Sequence, residues 1–286
     1  TEAANRLYIS QPSLTNAIHE LEKEMGINIF NRSNKGISPS IEGEVFLGYA
    51  RQVLEQAKVL EDKYKGDDGG KKSFCVSTQH YSFAVNAFVD LIKRYGQDEY
   101  DFSIRETQTY EIIEDVAKMR SEIGILFMND FNEKVLNKIL RANDLEFHEL
   151  FVAKPHVFIS RKHPLAKNDF ITNEELETYP YLSFEQGEHN SFYFSEEIFS
   201  ATERKKNIRV RDRATLFNLL IGLNGYTVCS GVIDEKLNGK DIISVPLADE
   251  NDMRIGYIVH RKAILSRLGN TYLGALAKYL TAGSDE

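Results

Sequence analysis

The spacing of apolar positions along this 286-residue chain changes near residue 70, and each regime predicts its own elements. In the first, Leu14, Ile18 and Leu21 recur at helical intervals behind the start Ser10-Gln11-Pro12. A Ser hydroxyl accepts from a helix's first unpaired N–H groups, and Pro in the first turn removes an N–H that has no partner there. This predicts a helix from Ser10 to Gly26, preceded by a short helix over residues 1–7 that packs through Ala3, Ala4 and Leu7. The outer face of the longer helix carries Gln11, Ser13, Asn16, His19 and Glu20, groups able to meet base edges and phosphates. Two helices joined by a tight turn form the second half of a helix-turn-helix.

Residues 28–40 then alternate through Ile29 and Phe30 to a polar tip, Arg32-Ser33-Asn34-Lys35-Gly36. Directly after a recognition-helix candidate, this pattern suits a β-hairpin wing with basic groups facing phosphate better than a solvated turn. Ser40 is placed to cap a long helix reaching about Lys65. Phe46, Ala50, Val53, Ala57, Leu60 and Tyr64 alternate spacings of four and three along it, and Arg51, Glu55, Lys58 and Glu61 flank them. A heptad seam between charges suits pairing of two subunits better than burial within one. Gly66-Asp67-Asp68-Gly69-Gly70 ends the helix in a hinge over 66–72.

Beyond Ser73 short apolar strands alternate with helices. Strands are predicted over 74–77, 102–106, 123–127, 180–184, 208–212, 226–230, 242–247 and 254–262, with extended chain over 147–160. Helices are predicted over 83–95, after Thr107, over 216–225 and over 266–280. This order indicates parallel or mostly parallel sheets, arranged as two α/β lobes.

Charge tempers the nucleic-acid reading without reversing it. The chain carries a net −8, and residues 1–65 hold eight Lys/Arg against nine Asp/Glu, so binding would lean on specific fit and on dimerisation. No run approaches the ~18 apolar residues of a bilayer span, and no signal peptide opens the sequence, which points to a cytoplasmic protein without a membrane role. Cys75 and Cys229 lie far apart in apolar segments, as buried reduced thiols do. The seven His show no metal-ligand spacing, and no nucleophile elbow, phosphate loop or CxxC is present. Neither catalysis, a metal nor a cofactor is expected.

In α/β lobes, ligands gather beyond the carboxyl ends of strands. The positions there are Ser77, Thr78 and Gln79; Thr107, Gln108 and Thr109; Phe127 and Met128; and Arg213 with Thr215. Their hydroxyls and nearby helix N–H groups suit a small anionic metabolite, and Ser and Thr at these places equally suit helix capping. The aromatic run Phe192-Tyr193-Phe194 near His189 either lines a pocket or packs a core.

The stretches AANRLYISQPSLTNAIHELEKEMG, INIFNRS and SPSIEGEVFLGYA together resemble the LysR-type transcriptional regulators, and SRKHPLA and LLIGLNGYTV extend the resemblance through the chain. Ala3, Ala4, Leu7, Gln11, Pro12, Ile18, Leu21, Glu22, Gly26, Phe30, Arg32 and Gly43 match that family's typical pattern; Asn16 stands where Arg or Lys is common. The resemblance implies an α+β multidomain chain: a winged helix-turn-helix over 1–39, a dimerising linker helix over 40–65, and a periplasmic-binding-protein-like effector domain. Lobe I of that domain is expected over 73–158 and 259–286 and lobe II over 159–258, with crossings near His156–Ser160 and Ile258–Arg261. Thr1 would fall within the module's second helix, leaving it N-terminally incomplete. On this reading DNA is met by Ser10, Gln11, Pro12, Ser13, Thr15, Asn16, His19, Arg32, Ser33 and Lys35. The partners are double-stranded DNA, a small-molecule effector, further copies of the chain as a dimer or dimer of dimers, and RNA polymerase. A solute-binding receptor with the same two-lobed cleft is the alternative, and the helix-turn-helix stands against it.

Overall fold

The computed structural model describes residues 2–33, 36–64, 72–95, 99–189, 191–233, 238–249 and 251–280. Lys35 and most of the expected hinge lie outside them. The chain divides into two compact units, Thr1–Ala57 and Lys58–Glu286.

In the first unit, α1 (Glu2–Arg6) and α2 (Gln11–Met25) precede the antiparallel hairpin of β1 (Phe30–Ser33) and β2 (Gly36–Pro39), and α3 (Ile41–Tyr64) follows. Ser10 caps α2 by accepting from the Ser13 N–H at 3.2 Å, and Gly26 ends it at φ +68°, a left-handed position that Gly adopts without penalty. Ser40 caps α3 through the Gly43 N–H at 2.8 Å. Gly43 is demanded by close approach, since a Cβ there would sit 1.9 Å from the Ile29 carbonyl oxygen. Ala4 and Ile29 are buried and Leu14, Ile18 and Leu21 half-buried. Leu7, expected on a packing face, is exposed because α1 ends at Arg6 and Leu7 belongs to the turn.

The second unit holds two sheets. The larger is ordered β4-β3-β5-β12-β6, from β3 (Lys72–Thr78), β4 (Tyr100–Glu106), β5 (Ile123–Met128), β6 (Leu145–Ala153) and β12 (Met253–His260). Helices α4 (Ser82–Arg94), α5 (Thr109–Ala117), α6 (Glu133–Ala142) and the last helix, α9 (Arg267–Leu280), cover its faces. Phe83, Phe88 and Leu91 of α4 pack with Tyr272 and Leu276 of α9 over Phe74 and Val76; Ile112, Val116, Leu136 and Leu140 pack with Leu126 and Ile258 in a separate core cluster.

The smaller sheet runs β10-β7-β11, from β7 (His156–Ser160), β10 (Thr227–Cys229) and β11 (Ile242–Pro246). A parallel bridge, Tyr181 to Tyr226, joins it to the parallel pair β8 (Tyr181–Phe184) and β9 (Asn207–Val210). Short α7 (Asn173–Leu176) and α8 (Arg213–Leu223) complete this lobe.

Two expectations are corrected. The large sheet is mostly parallel as expected, with β3, β4, β5 and β6 running one way and β12 alone opposed to its neighbours as the chain's return from the smaller lobe, but the small β10-β7-β11 sheet is paired antiparallel throughout. That return also falls earlier than 258–261: Met253–His260 pairs throughout its length within the large sheet, so the second crossing lies between Pro246 and Met253. The first crossing is Lys154-Pro155. The two crossings touch, with the Leu247 N–H donating to the Pro155 carbonyl at 3.0 Å and Lys154 Nζ 2.6 Å from Asp252 Oδ1.

Candidate functional site

In the first unit, Gln11, Pro12, Ser13, Asn16 and His19 lie exposed on α2, with Thr15 half-buried. Glu22 fixes that helix to the wing: its Oε1 accepts from the Ile29 and Phe30 N–H groups at 2.8 and 3.1 Å. The Phe30 N–H chiefly, then that of Ile29 and the neighbouring His19, hold the Glu22 carboxyl below the usual range against the effect of burial. Arg32 reaches back from the wing, its Nη2 3.2 Å from His19 Nε2, while His19 Nδ1 lies 3.3 Å from Glu22. Arg has only donors, so His19 Nε2 accepts and the Nδ1–H faces the carboxylate. The exposed polar face of α2 and the basic wing are thereby held as one surface.

On α3, Val53 and Leu60 are 67 % and 60 % exposed, Ala57 is exposed, and Phe46 and Ala50 are half-buried. Tyr64 ends the helix; its side chain is outside the described residues. Val45, Tyr49 and Leu54 add further exposed apolar area.

Most of the effector positions read from the sequence are engaged internally. Ser77 Oγ donates to Asp115 at 2.7 Å, on the side of the large sheet that α5 covers. Thr78 Oγ1 donates to the Gln79 carbonyl at 2.8 Å. Gln79 Nε2 donates to Thr109 Oγ1 at 2.6 Å, and its Oε1 accepts from Tyr81 and the Phe127 N–H. Thr109 in turn donates to the Phe194 carbonyl at 2.7 Å. Thr107 pairs with Glu111, Gln108 lies over Gly187, and Thr215 is held by the capping Asp212. Phe127 and Met128 are core residues. Arg213 lines a space between the lobes beside His80, and Phe127 borders a second one with Asn129, Asn132 and Phe192. The hydroxyls cap and cross-link, the commoner use of such groups at strand ends.

Beside Arg213 stands His80, one position beyond the anticipated Gln79, with Glu196 and Glu197, which the sequence had not singled out. His80, from the large lobe, lies flat on Phe184 of the small lobe, 3.7 Å between ring centroids and 3° from parallel. Its Nδ1 is 2.9 Å from Glu196 Oε2, its backbone N–H donates to the same oxygen at 2.9 Å, and its Nε2 is 3.2 Å from the Arg211 carbonyl. Both ring nitrogens face acceptors, which requires two N–H groups and therefore an imidazolium. Burial alone lowers the His80 pKa; Glu196 chiefly, with Glu106 and Glu197, overcomes this and raises it. A second ion pair crosses the gap, Arg213 Nη2 to Glu106 Oε1 at 2.8 Å. Burial raises the Glu106 carboxyl while Arg213 opposes it.

Glu197 is different. Its carboxyl accepts from the Phe184 N–H at 2.8 Å and has no Lys or Arg partner among the described residues. Burial, reinforced by Glu196, pushes it up to about 8. The cavity bounded by His80, Glu196, Glu197, Arg213 and Thr227 measures about 40 Å³, room for two or three waters by volume. Glu196 and Glu197 line it together with Arg213, whose Nη2 is tied to Glu106 and whose Nη1 has no hydrogen-bond partner among the described residues. His80, Glu196, Glu197 and Thr227 were not anticipated. The legible signal was Glu196-Glu197 inside the aromatic-rich run Phe192–Phe199. Among the described residues no group of three His, Cys, Asp or Glu could hold a metal, and no helix is long and apolar enough to cross a membrane. Both cysteines are free thiols.

Residues 1–44 match the bacterial regulatory helix-turn-helix protein, lysR family, and residues 74–281 match the LysR substrate binding domain. Among curated relatives, the uncharacterized HTH-type transcriptional regulator YnfL of Escherichia coli K12 is 28 % identical over 187 residues, covering 64 % of this chain and 59 % of the relative. The HTH-type transcriptional regulator CysB of Haemophilus influenzae is 27 % identical over 191 residues, covering 65 % and 56 %. The chain thus spans under two thirds of the length of these relatives. In fold it is similar to a full-length OxyR variant from Pseudomonas aeruginosa, with a TM-score of 0.67, 18 % identity and coverage of 99 % of this chain and 89 % of that one. The two matched segments between them take in both units, and the chain belongs to the LysR family of bacterial helix-turn-helix regulators.

Proposed function

We propose that this protein is a sequence-specific DNA-binding transcriptional regulator whose action on DNA is set by a small molecule held between the two lobes. The observation that carries the reading is the α2 face. Gln11, Ser13 and Asn16 stand exposed behind the Ser10 cap, and Glu22 and His19 fix them relative to Arg32 of the wing. Side-chain amides and hydroxyls on one helix face read base edges in a major groove, while a wing Arg takes phosphate. Lys35 and Ser33 extend the same tip in sequence.

A second copy of the chain is the natural partner of α3, whose apolar side chains stand in solvent at the spacing of a coiled-coil seam. Dimers, or dimers of dimers, present two α2 helices, and their separation must match the helical repeat of DNA. A ligand shifts the lobes only by its difference in affinity for two arrangements. Changes in DNA bend cost ~1–6 kcal/mol, so a modest shift between subunits is enough to alter occupancy. At promoters in the cytoplasm, RNA polymerase is the further partner on this reading.

The test is selection of bound duplexes from a random library, followed by fluorescence anisotropy on the winner. Enrichment of a two-fold symmetric sequence, weakened at least tenfold by Gln11→Ala, is expected. Recovery of no sequence preference overturns the assignment.

A further inference from the structure

The cavity beside His80 is lined by a carboxyl with no Lys or Arg partner and a hydroxyl with no hydrogen-bond partner among the described residues. Four Glu, His or Arg side chains line it, and three have opposite-charge partners: His80 with Glu196, and Arg213 with Glu106 behind it. Glu197 is left over. Thr227, 4 % exposed on β10, lines the same cavity, and its Oγ1 has no hydrogen-bond partner among the described residues. A buried hydroxyl without a partner carries a cost that a ligand bearing a hydrogen-bonding head removes. The rest of the lining is aromatic and apolar, including Tyr81, Phe158, Phe184 and Phe217.

We propose that the cavity receives the protonated amine head of a small cationic metabolite, with Glu197 as its counter-charge and Thr227 as a hydrogen-bond partner. This rests on the reading of the cavity as the effector site and adds the ligand's charge. An ammonium has three donors; a carboxylate, a hydroxyl and an aromatic face are the groups that accept them in an apolar setting. About 40 Å³ admits such a head, and not a bulky one, in this arrangement of the lobes. An anionic head would instead meet Glu196 and Glu197 on the wall, with only the Nη1 donor of Arg213 to receive it, since Nη2 is paired with Glu106. Proton balance gives a signature. Because burial holds the Glu197 carboxyl at about 8, it is mostly protonated at pH 7. Pairing with an ammonium requires the carboxylate, so each bound amine drives out roughly one proton.

The experiment is calorimetric titration of the protein at pH 7 with propylammonium chloride, 1,4-diaminobutane and sodium propionate, in two buffers of different ionisation heat that are not themselves primary amines. Binding of an amine with release of roughly one proton is expected. Glu197→Gln should weaken it at least tenfold and abolish the release; Thr227→Val, which keeps shape, should weaken it severalfold with the release intact. Amine binding that Glu197→Gln leaves unchanged is surface attraction to an acidic protein and overturns the proposal. Propionate binding without amine binding also overturns it, while leaving effector sensing standing with the opposite charge preference. Binding of neither probe overturns the amine assignment alone, since the regulator reading is decided by the DNA selection.

Discussion

The imidazole of His80 rests on the ring of Phe184, 3.7 Å away and 3° from parallel, and this contact joins two lobes that are otherwise separate sheets. The stack shields the His80–Glu196 pair, whose side chains are 4 % and 5 % exposed. Removing His80 leaves a buried carboxylate with no charge partner. His80→Ala is therefore expected to cost about 3–5 kcal/mol, measured by chemical denaturation near pH 6. Because the folded-state pKa of His80 is raised, its contribution is complete below the ordinary 6.5 and is lost as pH rises through the raised value. The wild-type–variant difference should shrink accordingly towards pH 9.

Glu197 works against stability in the same window, and the two can be separated by substitution. Its carboxyl is raised from 4.5 to about 8, so ionising it in place costs free energy. Stability should fall as pH rises from 4.5 towards 8 and level off above, with a slope of at most ~1.4 kcal/mol per pH unit from this group. Glu197→Gln keeps an acceptor for the Phe184 N–H and should flatten that slope, leaving the variant more stable than wild type at pH 8.5. Denaturation midpoints at pH 5, 7 and 8.5 check this.

In the first unit, Gly43→Ala places a methyl 1.9 Å from the Ile29 carbonyl oxygen, so the chain just before β1 must move. A loss of at least ~1–3 kcal/mol is expected, confined to residues 1–57. Hydrogen exchange should show lost protection in α2 and the hairpin, and unchanged protection in the large sheet.

Arg32→Ala should weaken binding to the selected duplex about uniformly across sequences and reduce the salt slope by ~0.9, the value for one phosphate contact. Gln11→Ala should instead relax preference at one base pair. Anisotropy from low to moderate salt distinguishes the two.

Val53→Glu and Leu60→Glu put charge on side chains already in solvent, so the folded chain should tolerate them. Both should shift the species seen by sedimentation velocity towards monomer. An unchanged sedimentation coefficient would place the subunit contact elsewhere.

Elements were more legible than the site. The Ser10 cap, the Gly26 stop, the wing and the long helix were written in residues whose local chemistry admits few alternatives, and the structure has them within a residue or two. The helix Glu133–Ala142 was not read, although Val135, Leu136, Ile139 and Leu140 carried its period. The direction of the Met253–His260 strand depends on where the chain returns from, which spacing along the strand does not encode. The cavity was missed by one residue at Gln79–His80 and entirely at Glu196-Glu197. Those carboxylates acquire their character from the opposite lobe, from His80 and from burial, and adjacent sequence reveals neither.

The hydrogen bond from Leu247 to Pro155 has a mechanical consequence. It binds the two connecting threads side by side, as stitches along the spine of a book. Leaves sewn in this way swing about the spine; they do not slide past one another, since sliding would stretch one stitch against the other. Whatever settles beside His80 and Glu197 therefore bears on leaves that can only turn, and its effect is delivered as a single turning motion.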